Sequence, residues 1–476
     1  MSVNKKSPVS KNNKKKPHNH QPPRSVVIEH LNSDGVGTLR EDSKEVWVAG
    51  SLPGEKVLVA IEHEGQHRRI GHLLKVQQPS RARIKPPCAL APRCAGCPII
   101  HMNYTEQGHF KNELIQRALS LYPNLSSLQP GEIWSATKPL GYRTTAKLAL
   151  AKVGGKALVG LYQRGSHRVI DLSDCPQHHP LINRIAQALR EEIEKQDLHV
   201  YNPINRRGLL RYLAVRVSPT YNKALVTLVC SERNYREMTH LAKWLKKKVP
   251  EIVGVHQNVN ASSGNVIFGP NTFKILGADD LIDQIGDVRL RLSPSSFFQV
   301  NHEQAARIYH QVTRWADLKP GMTALDIYCG IGGIALHLAA SGAHVTGVEI
   351  NPEAIHNARA AAQMNKLSHC SFITGDASEV MEDLRLDLGS VDVAVINPPR
   401  SGCSEDVLGS LVALKPSTLI YVSCNPHSLA RDLDYLIRHG YQPCELQPVD
   451  MFPQTPHVES LVRLCPKNVD KPNTNA

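Results

Sequence analysis

Three observations predict an α/β chain whose C-terminal part is a doubly wound parallel sheet, preceded by a small all-β module and a central α+β domain. From about residue 292 onward, short apolar runs alternate with amphipathic stretches, the first of these runs ends in a glycine-rich loop, and residues 25–84 hold only β-type runs. Alternating strand and helix patterns imply parallel pairing with helices on both faces of the sheet.

The N-terminal end is basic. Of the net charge of +13, seven positive charges (Lys5, Lys6, Lys11, Lys14, Lys15, Lys16 and Arg24) fall in residues 1–24, which contain no acid, and the remainder still carries +6. A segment this polar cannot bury enough apolar surface to fold and reads as a disordered arm, suited either to phosphates or to solubility. Because the folded part is basic as well, nucleic acid is the leading partner. Residues 25–84 carry runs at 26–28, 35–39, 46–48, 56–61 and 72–76, separated by Gly and Asp turns. Five short strands at this spacing predict a small closed barrel.

Residues 85–290 open with a cysteine-rich stretch, continue through a helix at 180–196 and strands at 212–218 and 224–230, and read as the central α+β domain. Residues 291–466 are regular: strands at 324–328, 344–348, 371–374, 391–396 and 418–423 alternate with helices at 334–340, 352–365, 377–384, 404–414 and 428–439. Two late runs, 444–449 and 461–465, add an antiparallel pair at the edge, and 467–476 is a tail. No apolar run reaches the length of a membrane span and the basic N-terminus lacks a signal-type apolar stretch, so no membrane association and a cytoplasmic location are expected. In that compartment the eleven cysteines should be thiols, ligands or nucleophiles rather than a disulfide framework. Nothing in the sequence sets an oligomeric state, and a monomer is the default expectation.

The chemistry gathers at the carboxyl ends of the predicted strands, where open α/β sheets bind ligands. The first strand leads into Cys329-Gly330-Ile331-Gly332-Gly333, and Glu349 closes the second. Glycines there let a ligand approach the backbone at a helix N-terminus, and the acid can accept from ribose hydroxyls. A dinucleotide site uses the same parts, but the full G-x-G-x-x-G is missing. D-x-x-C-G-x-G together with V-E-I-N-P looks like an S-adenosyl-L-methionine-dependent methyltransferase, with Asp376 after the third strand suited to the adenine edge. Asn397-Pro398-Pro399-Arg400 follows the fourth strand. In amino-methyltransferases such a motif binds the target amine, so methylation of an exocyclic amine is a competing reading.

The fifth strand ends on Cys424-Asn425-Pro426, a thiol held at the strand edge by a proline-bearing turn; Met451 to Glu459 (M-F-P-Q-T-P-H-V-E) lies downstream and Ser296 to Asn301 (S-F-F-Q-V-N) upstream. In order and spacing these elements resemble the RNA uracil-C5 methyltransferase family over residues 25–465. The resemblance implies that Cys424 adds to C6 of a uracil, that the activated C5 takes the methyl group, and that Glu459 removes the C5 proton. It implies cofactor contacts from Gln299, Tyr328, Glu349, Asp376 and Asn397. It also likens residues 25–84 to the TRAM module, an OB-like RNA-binding barrel. Two positions depart from the family: Asn397 stands where Asp is usual, and Gly333 where Asn is common. A catalytically degraded RNA-binding or assembly factor is therefore a third reading.

Cys88, Cys94 and Cys97 lie close together between prolines, and three thiolates so placed can hold a metal or cluster. The family's iron–sulfur branch takes its fourth ligand from a later Cys-Pro, matched here by Cys175-Pro176. Four thiolates fit a [4Fe-4S] cluster, and the resemblance favours it because Ala95-Gly96-Cys97 and His101-x2-Tyr104 follow the branch pattern. A structural zinc on Cys88, Cys94, Cys97 and His101 is the alternative, since C-x2-C-x3-H is acceptable zinc spacing. Cluster and barrel together resemble the branch acting on large-subunit (23S) ribosomal RNA. Cys230, Cys329, Cys370, Cys403, Cys444 and Cys465 read as structural or incidental thiols.

Overall fold

The structure, a computed structural model, describes residues 22–163, 166–264 and 266–467; most of the basic arm and nearly all of the C-terminal tail lie outside the described residues. The chain divides into two compact units, Met1–Arg83 and Ile84–Ala476. No described helix is long and apolar enough to cross a membrane.

Among the described residues the first unit contains six strands, Arg24–Val27, His30–Leu31, Gly37–Glu41, Lys44–Val48, Lys56–Glu64 and Arg68–Gln78. In the sheet they run first, fifth, sixth, fourth, third, second. Residues 24–31 form one bent segment that borders both ends of the ladder, pairing Val26 with Val57 and His30 with Thr38. Alternation in the strands buries Ile28, Leu39, Val46, Val48, Val57 and Val59 as a separate core. Glu55 is fully buried. Burial opposes its charge, but Arg83 and the backbone donors of Leu52 and Ser80 outweigh that and hold the carboxyl below its usual value.

In the second unit, a seven-stranded sheet comprises Thr145–Val153, Lys156–Tyr162, Val169–Asp171, Leu210–Ser218, Lys223–Cys230, Ile252–Val259 and Asn271–Gly277. Helices Pro180–Lys195 and Tyr235–Lys248 cover one face, packing Ile182, Ile185, Leu241 and Leu245 with Leu148, Leu213 and Val215 of the strands.

The C-terminal sheet has strands β1 (Thr323–Ile327), β2 (His344–Glu349), β3 (Cys370–Thr374), β4 (Val393–Ile396), β5 (Thr418–Ser423), β6 (Tyr441–Val449) and β7 (Glu459–Pro466), and helices α1 (Gly333–Ala339), α2 (Pro352–Met364), α3 (Ala377–Leu388), α4 (Glu405–Ala413) and α5 (Pro426–Arg438). The order is β3-β2-β1-β4-β5-β7-β6. The first five strands are parallel, and β7 lies antiparallel between β5 and β6. Strand order reverses between β1 and β4, which opens the crevice where such sheets bind ligands. Each predicted strand and helix of this region is present, with ends displaced by a few residues. Helix Tyr104–Leu119 packs Ile115 and Leu119 against Leu429 and Leu433 of α5. Hairpin Leu281–Ile285/Val288–Leu292 and helix His302–Ala316 pack into the same sheet's other face. Its core thus draws on residues on both sides of the division at 290.

Candidate active site

The loop after β1 is built on left-handed backbone: Tyr328 has φ 63°, Gly330 56° and Gly332 80°. A non-glycine residue there costs of order 1–3 kcal/mol and persists where its surroundings fix it, commonly at functional sites. Both Glu349 oxygens hold the neighbouring turns, accepting from Gly330 N at 3.1 Å and Asn351 N at 2.9 Å, with lone pairs to spare for a ribose. Asp376 caps α3 through Ser378 N (2.9 Å) and Oγ (2.6 Å). Burial raises the Tyr328 hydroxyl, with Cys403 and then the charges of Asp376 and Asp432 adding to it. Asn397 N donates to Ile327 O at 3.2 Å, tying the end of β4 to the end of β1. Gln299 is half-buried on a separate loop, which Asn301 fastens by donating to Met451 O at 3.3 Å.

Gly333 has a local explanation. A Cβ there would lie 2.5 Å from Tyr309 Oη and 2.9 Å from its Cζ, so in this chain a tyrosine ring fills the space that a side chain at 333 needs. Asp326, the first residue of the D-x-x-C-G-x-G motif, has no role assigned from the sequence. Fully buried in β1, it accepts from Ala335 N at 2.9 Å through Oδ2, while Oδ1 is buried without a hydrogen-bond partner. Burial pushes its carboxyl up to about 8, with the Glu349 charge adding to the rise. The signal was an acid inside an otherwise apolar strand.

Cys424 and Glu459 are brought together by sheet register. β5 and β7 pair Ser423 with Ser460, and Val449 of β6 pairs with Glu459; the next step of the β5–β7 register sets 424 against 459. Glu459 is 3 % exposed and the thiol half-buried. Burial, opposed by Arg400, pushes the Glu459 carboxyl up to about 8. Burial and then the Glu459 charge raise the Cys424 thiol, while the Arg400 guanidinium, hydrogen-bonded to it, pulls the other way. Thiol, acid and cation therefore share one site, with Arg400 supplied by the Asn-Pro-Pro-Arg turn.

That turn is fixed from behind. Asn425 caps α5 through His427 N (3.1 Å) and donates from Nδ2 to Arg400 O (2.8 Å). Arg431 donates to Ser401 O (2.9 Å) and Cys403 O (3.1 Å). Buried Asp432 accepts from Cys403 N (2.8 Å), Tyr421 Oη (2.6 Å) and Arg431 Nε (2.8 Å). Gly402, at φ 80°, is the close-approach point: a Cβ would sit 2.5 Å from the Arg431 guanidinium and 2.6 Å from Asp432 Oδ2.

The segment leading to Glu459 is held by residues far away in sequence, and these were not predicted. Gln107 and Gln454 bond twice, side chain to side chain and Gln454 N to Gln107 Oε1, both at 2.9 Å. Gln107 also donates to Met102 O at 2.9 Å. Fully buried Lys111 pairs with Asp450 and donates to Phe452 O at 3.1 Å, and Tyr142 Oη donates to Pro453 O at 3.1 Å. Gln454 sits at φ 69°.

The four predicted metal-binding thiols are half-buried neighbours. Burial pushes Cys97 up to about 12, and the charges of Cys175, Cys94 and Cys88 each add to this. Cys94 and Cys175 are raised by burial and also feel Cys88. Among the described residues no set of three or more His, Cys, Asp or Glu side chains is arranged closely enough to hold a metal ion. The thiols are thus near enough for their charges to repel one another; such repulsion is what a bound cation relieves. Among the remaining cysteines, Cys444 and Cys465 place their sulfurs 2.6 Å apart across β6 and β7.

The sheet order, glycine-bearing first loop and acids closing β2 and β3 define an S-adenosylmethionine-dependent methyltransferase. The profile of the tRNA (Uracil-5-)-methyltransferase family matches residues 103–467. The chain is 42% identical over 447 residues to an uncharacterized RNA methyltransferase of Geobacter sulfurreducens, covering 93% of this chain and 90% of that protein. It is 34% identical over 443 residues to one of Halalkalibacterium halodurans, covering 93% and 97%. Among solved structures it resembles the Pyrococcus abyssi tRNA (uracil-54, C5)-methyltransferase in complex with S-adenosyl-L-homocysteine, with a TM-score of 0.76 and 27% identity over 93% of this chain and all of that one. The chain belongs to the tRNA (uracil-5-)-methyltransferase family and is an S-adenosylmethionine-dependent RNA methyltransferase.

Proposed function

We propose that the enzyme methylates C5 of a uridine in RNA through a covalent Cys424 adduct, with Glu459 as the base. The observation that carries this is that thiol, acid and Arg400 lie together at the carboxyl end of β5 and the amino end of the antiparallel β7. Uracil C5 is a poor nucleophile until C6 is attacked. The Cys424 thiolate bonds to C6, moving electron density to C5, and Arg400 offsets the developing negative charge. Bound S-adenosylmethionine supplies the methyl group as an electrophile. Glu459 then takes the C5 proton, the C5–C6 double bond re-forms and the thiolate leaves. Gln299, Tyr328, Glu349, Asp376 and Asn397 are the residues that would hold the cofactor. The target base must leave its stack, at a cost of a few kcal/mol.

The RNA is proposed to be 23S ribosomal RNA, supported by the cysteine pattern and by the six-stranded N-terminal unit, where Arg68 lies 4.6 Å over the Trp47 ring, as suits a TRAM-like RNA-binding module. A second reading, transfer RNA, is favoured by the family's description and by the substrate of the Pyrococcus abyssi enzyme. Cys88, Cys94, Cys97 and Cys175 are proposed to hold a [4Fe-4S] cluster that fastens the central region, with zinc as the alternative; methyl transfer needs no redox step. The test is incubation with labelled S-adenosylmethionine and unmodified 23S or transfer RNA, followed by nucleoside identification. Labelled 5-methyluridine supports the reading. Methylated adenine or guanine would refute it in favour of the Asn397-Pro398-Pro399 amine chemistry, and the absence of any product would favour a binding factor.

A further inference from the structure

The central sheet has one face covered by helices; on the other, Ile267 and Phe268 pack over Ala149, Tyr212 and Val229, while Lys147 stays exposed. Tyr212, Ala214 and Arg216 alternate along Leu210–Ser218 and pair with Ala149, Lys147 and Thr145, so all six leave the sheet on the same side. The helices cover the other side, where Leu148, Leu213 and Val215 point. At one end of this second face the buried Arg216 guanidinium donates to Ser296 O, in the loop that carries Gln299. Four residues along the strand, on the order of 13 Å away, the face opens into a cavity of about 960 Å³.

This cavity has a particular chemistry. Tyr162, Tyr201 and Tyr212 line it together with Lys152, Arg168 and Arg211, and no carboxylate side chain is among its described lining residues. Tyr162 and Tyr212 meet edge to face at 6.5 Å with hydroxyls 3.4 Å apart. Buried Arg211 donates to Ser262 O at 2.8 Å and lies 4.6 Å over the Tyr201 ring, so it fixes the aromatic wall rather than reaching solvent. Tyr162 is 38% exposed. Between the cavity and Ser296, the exposed Lys147 ammonium lies 4.8 Å over the Phe268 ring. Lys152 is paired with Asp197, but the aromatic rings interleaved with Arg168 and Arg211 match the demands of unpaired bases on a phosphate backbone.

We propose that this cavity, with the exposed Lys147 beside it, is a second RNA-binding site, in which the single strand flanking the target nucleotide passes Lys147 and stacks bases on Tyr162 and Tyr201. The inference rests on the reading of the chain as an RNA methyltransferase and extends it to a surface away from Cys424. The site captures the substrate and takes no part in the methyl transfer.

The test uses the full chain with a long substrate RNA and a short one confined to the target loop. Tyr162→Ala and Tyr201→Ala should each weaken long-RNA binding roughly five- to a hundredfold, the range of one lost base stack, and raise KM with kcat unchanged. Short-RNA binding should not move, and Tyr162→Phe, which keeps the ring, should restore the long RNA. Lys147→Ala should lower the slope of log Kd against log salt by about one. Long RNA carrying 4-thiouridine beside the target should cross-link to peptides containing Tyr162 or Tyr201. Unchanged long-RNA binding with cross-links elsewhere, or equal losses for long and short RNA, would overturn the site. If binding responds as stated but the product is not 5-methyluridine, the site stands and the proposed chemistry falls.

Discussion

Cys424 faces Glu459 because Ser423 pairs with Ser460 in an antiparallel ladder, while Asn425, the residue after the thiol, holds the carbonyl of Arg400 at 2.8 Å. Three sequence-distant groups are thereby fixed by one strand register and one helix cap. The buried acid is raised to about 8 and the thiol above its usual value, so the resting site holds mostly neutral groups near pH 7.

Activity should therefore climb with pH. Proton removal by Glu459 needs the carboxylate, so kcat/KM measured from pH 6 to 9 should rise about tenfold per unit below pH 8 and steepen if the thiolate is limiting as well. A profile that is flat or falls over this range would contradict the assignment of Glu459.

Stability should move the other way. The folded state favours the neutral acid, so the contribution of Glu459 to stability is full below its ordinary value of 4.5 and is lost as pH rises through 8. Glu459→Gln stays neutral and should raise Tm at pH 8.5 relative to the parent, with little difference at pH 4. Each kcal/mol corresponds to about 2–4 °C in a domain of 150–250 residues and to less in a chain of this length.

The base-bearing loop should depend on Gln107. Gln107→Ala removes both bonds to Gln454 and leaves a buried amide unpaired, a loss of about 1–3 kcal/mol. If the pair positions Glu459, the variant should still form the covalent RNA complex but release product slowly, so that adduct accumulates during turnover. A merely destabilised enzyme would lower adduct and product together.

Gly333→Ala should disturb the cofactor loop. Its Cβ would strike the Tyr309 hydroxyl, and forced shifts of this kind cost typically 1–3 kcal/mol. Thermal melts should show a lower Tm and calorimetry weaker S-adenosylmethionine binding, both partly recovered in Gly333→Ala/Tyr309→Phe.

Anaerobically purified protein should be brown with broad visible absorbance, and a combined Cys94→Ser/Cys97→Ser variant should be colourless. Colourless parent protein carrying stoichiometric zinc would exclude the cluster.

Much of the C-terminal sheet was legible in the sequence because β1, β4 and β5 are buried almost throughout and read as largely apolar runs, while β2 and β3 alternate apolar with polar residues. The site residues at strand ends were legible for the same reason, since topology fixes where carboxyl edges meet. Helix Tyr104–Leu119 was not placed, because periodicity shows that Ile115 and Leu119 need a cover but not that α5 provides it. Gln107, Lys111 and Asp450 were also invisible, as a buried polar group is identified by its partner and these partners lie hundreds of residues apart. Gly333 looked like a defect in the sequence, and only the position of Tyr309 gives it a reason.

Intact-protein mass spectrometry of Glu459→Gln incubated with substrate RNA and S-adenosylmethionine, followed by nuclease and peptide mapping, tests the cysteine mechanism most directly. The expected result is a methylated uridine nucleotide attached to the peptide bearing Cys424, with no adduct and no product from Cys424→Ala. An adduct on another residue, or 5-methyluridine formed by Cys424→Ala, would contradict it.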